Sequence, residues 1–180
     1  MKSIAIPSVI LALTLTLTVT AASAETERAD LTESSDSAKV PKLSVTTSPL
    51  LLAFGVLELT GEYALTNKTS VAAIVGAGSI FGVEVFEAGG QVRHYVVGSF
   101  RHGLGFGIEV GASTVLVDAN GDIDSAAGYS AAPFLAYKYV AGFGLTVDLN
   151  AGIAYRRVTD DESAESDVGL MLNLNLGWTF

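Results

Sequence analysis

Cysteine is absent from this chain, and basic residues are scarce. The 180 residues contain no Cys, 10 Lys and Arg, and 19 Asp and Glu, which gives a formal charge of −9. Without cysteine, an exported domain of this size cannot be stabilised by disulfides and needs another source of stability. The acidic balance argues against nucleic acid as a partner, because nucleic-acid binding requires a basic face.

Long apolar runs are also missing, except near the N-terminus. Lys2, the apolar stretch 4–19 and the small residues Ala22-Ser23-Ala24 predict a cleaved signal peptide over 1–24. A retained membrane helix is the alternative, but Pro7 and the acids that follow disfavour it. Residues 25–41 are polar and aperiodic, which predicts a disordered tail. A partner-binding segment is the alternative for this stretch.

What the chain does have is alternation. Although it is acidic, 49% of its residues are hydrophobic and its mean hydropathy is +0.46. From 42 onward the apolar residues recur with a period of two, as in a β-strand with two different faces. The last stretch shows this best, since one face carries Leu170, Leu172, Leu174, Leu176, Trp178 and Phe180.

The alternating stretches predict eight strands. Their expected ranges are 42–48, 55–65, 70–80, 91–99, 104–117, 129–140, 143–157 and 168–180. All but the first are longer than the ~5–6 residues of an ordinary strand and reach at least the ~9–11 that a strand needs to cross a bilayer at a tilt. We therefore expect an all-β fold over 42–180, an eight-stranded antiparallel up-and-down transmembrane barrel. The segment 48–55 is either a helical turn or a bulged hairpin. A soluble lipocalin-like barrel, with its apolar face inward, is the alternative.

The expected connections differ at the two ends. Those at one end are short, whereas 81–90, 118–128 and 158–167 read as long polar loops rich in Asp and Glu. Short turns at one rim and long loops at the other are typical of outer-membrane barrels.

Aromatic residues fall near both expected rims, Tyr63, Tyr139, Phe143, Trp178 and Phe180 at one and Tyr129 and Tyr155 at the other. The alternating strand that ends in Trp178 and Phe180 resembles the C-terminal assembly signal of Gram-negative outer-membrane proteins. Residues 42–180 resemble the small eight-stranded barrels, and 48–71 are similar to a family of uncharacterised outer-membrane barrel domains. The resemblance implies location in the outer membrane, contact with its lipid and lipopolysaccharide, a periplasmic tail, and Trp178 and Phe180 being read by the barrel assembly machinery.

The opposite faces of the strands should fill the lumen. They carry seven charged residues: Glu58, Glu62, Arg93, Glu109, Lys138, Asp148 and Arg156. Strand direction places Glu58, Arg93 and Arg156 toward the long-loop end and the other four toward the short-turn end. Because buried charges must pair, and because eight strands leave room only for side chains, we expect a closed, ion-paired lumen. A narrow channel is the alternative.

Catalytic and metal-binding patterns are weak. His94 should face outward near the upper half of its strand, with no Ser two residues further on to act as a nucleophile. His102 lies in a short turn, at the end of the barrel opposite to the outer rim. The segment 118–124 spaces its oxygen-bearing side chains as a calcium loop does, but it lacks the glycine and the closing Glu of that loop. Its candidate ligands are Asp118, Asn120, Asp122 and Asp124. Asn120-Gly121 more simply predicts a tight turn.

These features together predict a non-enzymatic barrel without a cofactor, with a structural or surface-interaction role. Transport of a small or apolar solute through the barrel is the main alternative. A lipid-modifying barrel enzyme is the third possibility.

Overall fold

The computed structural model describes residues 42–80, 82–119, 122–159 and 164–180. The predicted signal peptide and tail lie outside these residues. The strands are β1 (Leu43–Thr47), β2 (Val56–Ala64), β3 (Thr69–Ile80), β4 (Val83–Gly98), β5 (His102–Ala119), β6 (Asp122–Val140), β7 (Leu145–Thr159) and β8 (Ala164–Thr179), with a short helix α1 (Pro49–Ala53) between β1 and β2.

The strands form a closed barrel. Each strand pairs antiparallel with the next one along the chain, and β8 pairs with β1. This confirms the predicted eight-stranded antiparallel up-and-down barrel. When the paired residues are followed from Thr47 on β1 through each neighbouring strand in turn, the residue reached on β8 is Ser166. Thr47 itself pairs directly with Leu176 on β8, so the ring closes with a stagger of ten residues. Such a stagger tilts the strands against the barrel axis.

The first strand is part of the barrel, but it is short. β1 has five residues and ends where Ser48 and Pro49 start α1. The Ser48 hydroxyl accepts a hydrogen bond from the Leu51 backbone N–H at 3.3 Å, and Pro49 occupies the first turn, where its missing N–H costs nothing. Of the two predictions for 48–55, the helical turn is confirmed. None of the helices in the described part of the chain is long and apolar enough to cross a membrane.

The barrel has a lower rim, formed by 65–68, 99–101, 141–144 and Phe180, and an upper rim, formed by the remaining connections. The predicted long loops at the upper rim are wrong, because strand pairing continues through them. The last pairs are Ile80↔Val83, Ala119↔Asp122 and Thr159↔Ala164. The faces of β4 change character along its length, since Val92 is exposed and Arg93 buried below, whereas Glu84 is exposed and Val85 half-buried above. Because the apolar residues no longer mark one face there, the sequence of this part of β4 resembles that of a polar loop. The backbone hydrogen bonds of the ladder nevertheless continue, since they do not depend on which side chains the strand carries.

The barrel is polar inside and apolar outside. Among the described residues, fifteen polar or charged side chains are buried against ten apolar ones, while thirty-two large apolar side chains are exposed. The aromatic residues predicted near the rims, Tyr63, Tyr129, Tyr139, Phe143, Tyr155, Trp178 and Phe180, all face outward. The lipocalin-like alternative, with an apolar interior, does not describe this arrangement.

Candidate functional site: an ion-pair network in the lumen

Four charged side chains from four strands meet inside the barrel. Glu62 comes from β2, Arg93 from β4, Lys138 from β6 and Asp148 from β7, and none is more than 2% exposed. We call these four residues the lumen network. Two bases face two acids, so the group is formally neutral.

The geometry of the lumen network joins opposite walls of the barrel. Lys138 Nζ lies 2.5 Å from Glu62 Oε2. Arg93 Nη1 pairs with Asp148 Oδ2 and lies 3.6 Å from Glu62 Oε2. Lys138 and Asp148 are direct neighbours across the β6–β7 ladder. Because side chains alternate between the faces of a strand, the register of the ladders fixes which charges meet.

Neutral groups complete the coordination of the Glu62 carboxylate. Ser70 Oγ donates to Glu62 Oε1 at 2.5 Å, and the Tyr95 hydroxyl donates to the same oxygen at 3.2 Å. Lys138 Nζ also donates to Ser44 Oγ at 2.9 Å and lies 3.8 Å from the centroid of the Phe100 ring. Buried charges are tolerated only when such additional partners satisfy their remaining donors and acceptors.

Gln91 links the lumen network to Glu109 above it. Its Oε1 accepts from Arg93 Nε at 3.0 Å and from Arg93 Nη2 at 2.5 Å, and its amide nitrogen donates to Glu109. Sequence reasoning missed Gln91 because it considered charged residues first. The available signal was position, since Gln91 lies two residues before Arg93 and therefore on the same face of β4.

Hydroxyl groups and aromatic rings fill the lumen beneath the network. Thr146 Oγ1 and Thr179 Oγ1 are 2.6 Å apart, and Thr179 also contacts the Ser44 hydroxyl. The rings of Tyr95 and Phe100 meet edge to face with their centroids 6.5 Å apart, and both side chains are buried. The lower end of the lumen is therefore packed with side chains.

Above the network the lumen widens into a cavity of about 180 Å³. We call it the upper cavity. Its wall includes Glu58, Glu87, Glu109, Arg156 and Met171. Asn173 Nδ2 donates to Glu58 Oε1 at 3.2 Å. Three of the seven predicted lumen charges, Glu58, Glu109 and Arg156, thus line this cavity and are not among the four network residues.

The predicted heights of Arg93 and Glu109 are wrong. Arg93 belongs to the lower network and Glu109 to the upper cavity. For Arg93 the error follows from β4, which was expected to begin at 91 but begins at Val83. Eight further residues on its upper end move Arg93 into the lower half of the barrel, opposite Gly107 on β5. Glu87, expected in a loop, lines the upper cavity for the same reason.

The other candidate residues lie away from the lumen. His94 contacts Thr69 through Nδ1 at 3.1 Å and tilts against the Phe106 ring, while His102 lies beside Tyr139. His94 was expected in the upper half of its strand. It lies near the lower rim instead, because its partner Thr69 is the first residue of β3. Trp178 packs against Phe143, with ring centroids 5.7 Å apart. The Phe180 backbone pairs with Leu43 and so closes the ring at its lower end.

The weak metal candidates flank the tip of the β5–β6 hairpin. Asn120 lies outside the described residues, as do the side chains of Asp118, Asp122 and Asp124. Their backbone positions are strand positions, with Asp118 paired to Ile123 and Ala119 to Asp122. Only two residues, Asn120 and Gly121, connect the strands, which is the length of a tight hairpin turn. Where side chains are described, no three His, Asp or Glu residues converge as metal ligands would.

With this geometry established, the chain was compared with known proteins. No protein-family model, curated protein or solved structure matches it.

Proposed function

We propose that this protein is an outer-membrane β-barrel with a structural or surface-interaction role and a lumen closed to solutes. The outer surface supports insertion into a bilayer, because thirty-two large apolar side chains are exposed among the described residues and aromatic residues lie toward both rims. In water such a surface would be unfavourable, whereas in lipid it is the expected one. The lower-rim aromatics would then lie at the periplasmic interface, with lipid and lipopolysaccharide around the barrel.

The biogenesis proposed with this role follows the sequence. The signal peptide over 1–24 directs export, residues 25–41 remain in the periplasm as a tail, and the barrel assembly machinery reads the strand that carries Trp178 and Phe180. The proposed role is non-catalytic and needs no cofactor. In the described residues, the ring contacts of His94 and His102 are with Phe106 and Tyr139, an environment that suits an interfacial position.

The proposal that the lumen is closed rests mainly on the lumen network. Its salt bridges run between strands on different sides of the barrel, and its four side chains are almost fully buried. A permeating ion would have to separate these pairs and leave charges unpaired in a narrow, low-dielectric space, which is costly. The packed hydroxyls and rings below add a second obstruction.

Planar-bilayer recording tests this proposal directly. We expect the refolded wild type to show no steady conductance above background. The matched variant Arg93→Ala with Asp148→Ala removes one pair while leaving the Lys138–Glu62 pair and the net charge unchanged, and we expect it to show intermittent openings. Migration of each protein in SDS before and after boiling reports whether the barrel has folded. Steady conductance of the wild type would refute a closed lumen.

The upper cavity gives the transport alternative a specific basis. It provides a polar compartment of about 180 Å³ inside the upper half of the barrel. A solute could enter it, but passage further requires the lumen network to open. The same recordings separate the two functions, because transport through the lumen predicts conductance or solute flux in the wild type.

A further inference from the structure

The shortness of β1 leaves one edge of β8 without a strand partner. β8 has sixteen residues, but its ladder with β1 stops at Leu176↔Thr47. Within the described residues, 164–175 have a strand neighbour only on the β7 side. We call the opposite side of this stretch the free edge. α1 contacts β8, but none of the backbone hydrogen bonds described for α1 reaches it.

The hydrogen-bond register identifies which backbone groups face the free edge. Phe180 exchanges backbone hydrogen bonds with Leu43 of β1, whereas the Thr179 N–H donates toward β7, to Gly144. Because the direction alternates along a strand, the even-numbered residues of β8 point away from β7. The N–H and C=O groups of Ser166, Val168, Leu170, Leu172 and Leu174 therefore face the free edge.

From this register we propose that the free edge of β8 is a docking site for an extended, basic segment of a partner protein, which adds a strand antiparallel to β8. The inference rests on the proposed membrane location and specifies the surface-interaction role. Such an edge is a template for strand addition. Natural edges are usually protected by Pro, Lys, a bulge or a covering helix. Residues 164–175 contain neither Pro nor Lys, and β8 pairs with β7 without a register shift. The helix α1 contacts β8, but no backbone hydrogen bond described for it occupies the edge groups of β8.

A second copy of this chain in the same membrane does not fit the free edge. All copies share one orientation across the bilayer, so β8 runs downward in each of them. Two β8 strands could then meet only in parallel orientation, whereas the vacant position continues that of β1, which runs antiparallel to β8. A lipid does not fit either, since it offers no row of alternating donors and acceptors. An extended polypeptide that enters from outside the cell can run antiparallel to β8, and its backbone offers the required row of alternating donors and acceptors.

The side chains of β8 indicate the chemistry of the partner. Val168, Leu170 and Leu172 face outward, and Leu170 is the most exposed large apolar side chain described, at 85%. Glu165 and Asp167 lie on the other face, both exposed, and they are the only charged residues in 164–175. Arg156 is the β7 neighbour of Asp167, which leaves Glu165 as the freer of the two acids. Because cross-strand neighbours share a face, the partner should alternate apolar and basic residues.

A peptide-binding measurement tests the proposal. The probe is a fluorescent peptide of alternating Val and Lys, as long as the free stretch, and a Val and Glu peptide is its control. Fluorescence anisotropy is recorded with the full, refolded protein in detergent micelles. Leu170→Pro removes a backbone donor from the free edge and leaves the β7 ladder intact, because the Leu170 N–H points away from β7. Leu170→Ala, which keeps the donor, is the matched variant.

We expect the Val and Lys peptide to bind the wild type, Leu170→Pro to weaken binding by about tenfold or more, and Leu170→Ala to weaken it less. Equal binding by Leu170→Pro and the wild type, equal binding of the two peptides, or no binding to the wild type would each overturn the proposal. A Val and Lys peptide N-methylated at alternate residues removes donors from the ligand instead. It should bind poorly even if Leu170→Pro fails to fold. A negative result in these binding measurements would not affect the proposal of a closed lumen, which the conductance recordings test separately.

Discussion

Replacing Lys138 by Met tests whether the lumen network stabilises the barrel through its charge balance. Met has a similar length but carries no charge, so Lys138→Met leaves the buried acids Glu62 and Asp148 with Arg93 as their only cation in the network. Glu62 keeps its hydrogen bonds from Ser70 and Tyr95, but its close cation, at 2.5 Å, is lost.

The expected loss is large because an unpaired charge remains buried. Removing one partner of a buried ion pair costs about 3–5 kcal/mol, whereas replacing both partners by neutral groups of similar size is often close to neutral. We therefore expect Lys138→Met to lower the free energy of unfolding by about 3–5 kcal/mol. The double variant Lys138→Met with Glu62→Gln should recover at least half of that loss, because the remaining pair, Arg93 and Asp148, is neutral.

Equilibrium urea unfolding in micelles measures both variants. The chain contains a single tryptophan, Trp178, which lies in β8 at the lower rim and is 41% exposed, so its fluorescence reports loss of the barrel. If Lys138→Met loses less than about 1 kcal/mol, or if the double variant is no more stable than the single one, charge balance is not what holds the network together.

Two further predictions concern the lower rim. Gly144 has a φ of +103° in the β6–β7 turn, a conformation that L-residues avoid, and an added Cβ would lie 3.0 Å from the Thr179 carbonyl oxygen. Gly144→Ala should therefore lower the free energy of unfolding by about 1–3 kcal/mol, and an unchanged urea midpoint would contradict this. Phe180→Ala keeps the backbone bonds to Leu43 but removes the aromatic ring of the proposed assembly signal, so we expect several-fold less barrel in isolated outer membranes and little change in refolding in vitro. Equal amounts of wild type and variant in the membrane would argue against an assembly signal.

The period-two pattern was enough to predict the architecture, for a physical reason. In a barrel that is apolar outside and polar inside, every strand must alternate over its whole buried length, and the register then follows from neighbour pairing. The same logic placed Glu62, Lys138 and Asp148 at the lower end of the lumen. Neither step requires knowledge of distant contacts.

The upper part of the barrel escaped prediction because its alternation changes there. Glu84 on β4 faces outward and Glu87 inward, so polarity no longer marks a single face, and the hairpins resembled loops. The wrong strand start then misplaced Arg93. The short β1 was predicted, because the expected range 42–48 differs by only one residue at each end from Leu43–Thr47. The helical turn that follows it was one of the two predictions for 48–55.

The uneven ladders also have a consequence for how the molecule reaches its final form. The β5–β6 ladder contains eighteen residue pairs and joins neighbours in sequence, whereas the β1–β8 ladder contains four and joins Ser44 to Thr179, which are 135 positions apart. Loop-closure entropy makes such distant pairings late and slow to form. The hairpins can therefore form early, but the ring is closed by its shortest ladder only once β8 is present, and the same ladder is where the ring should open most readily.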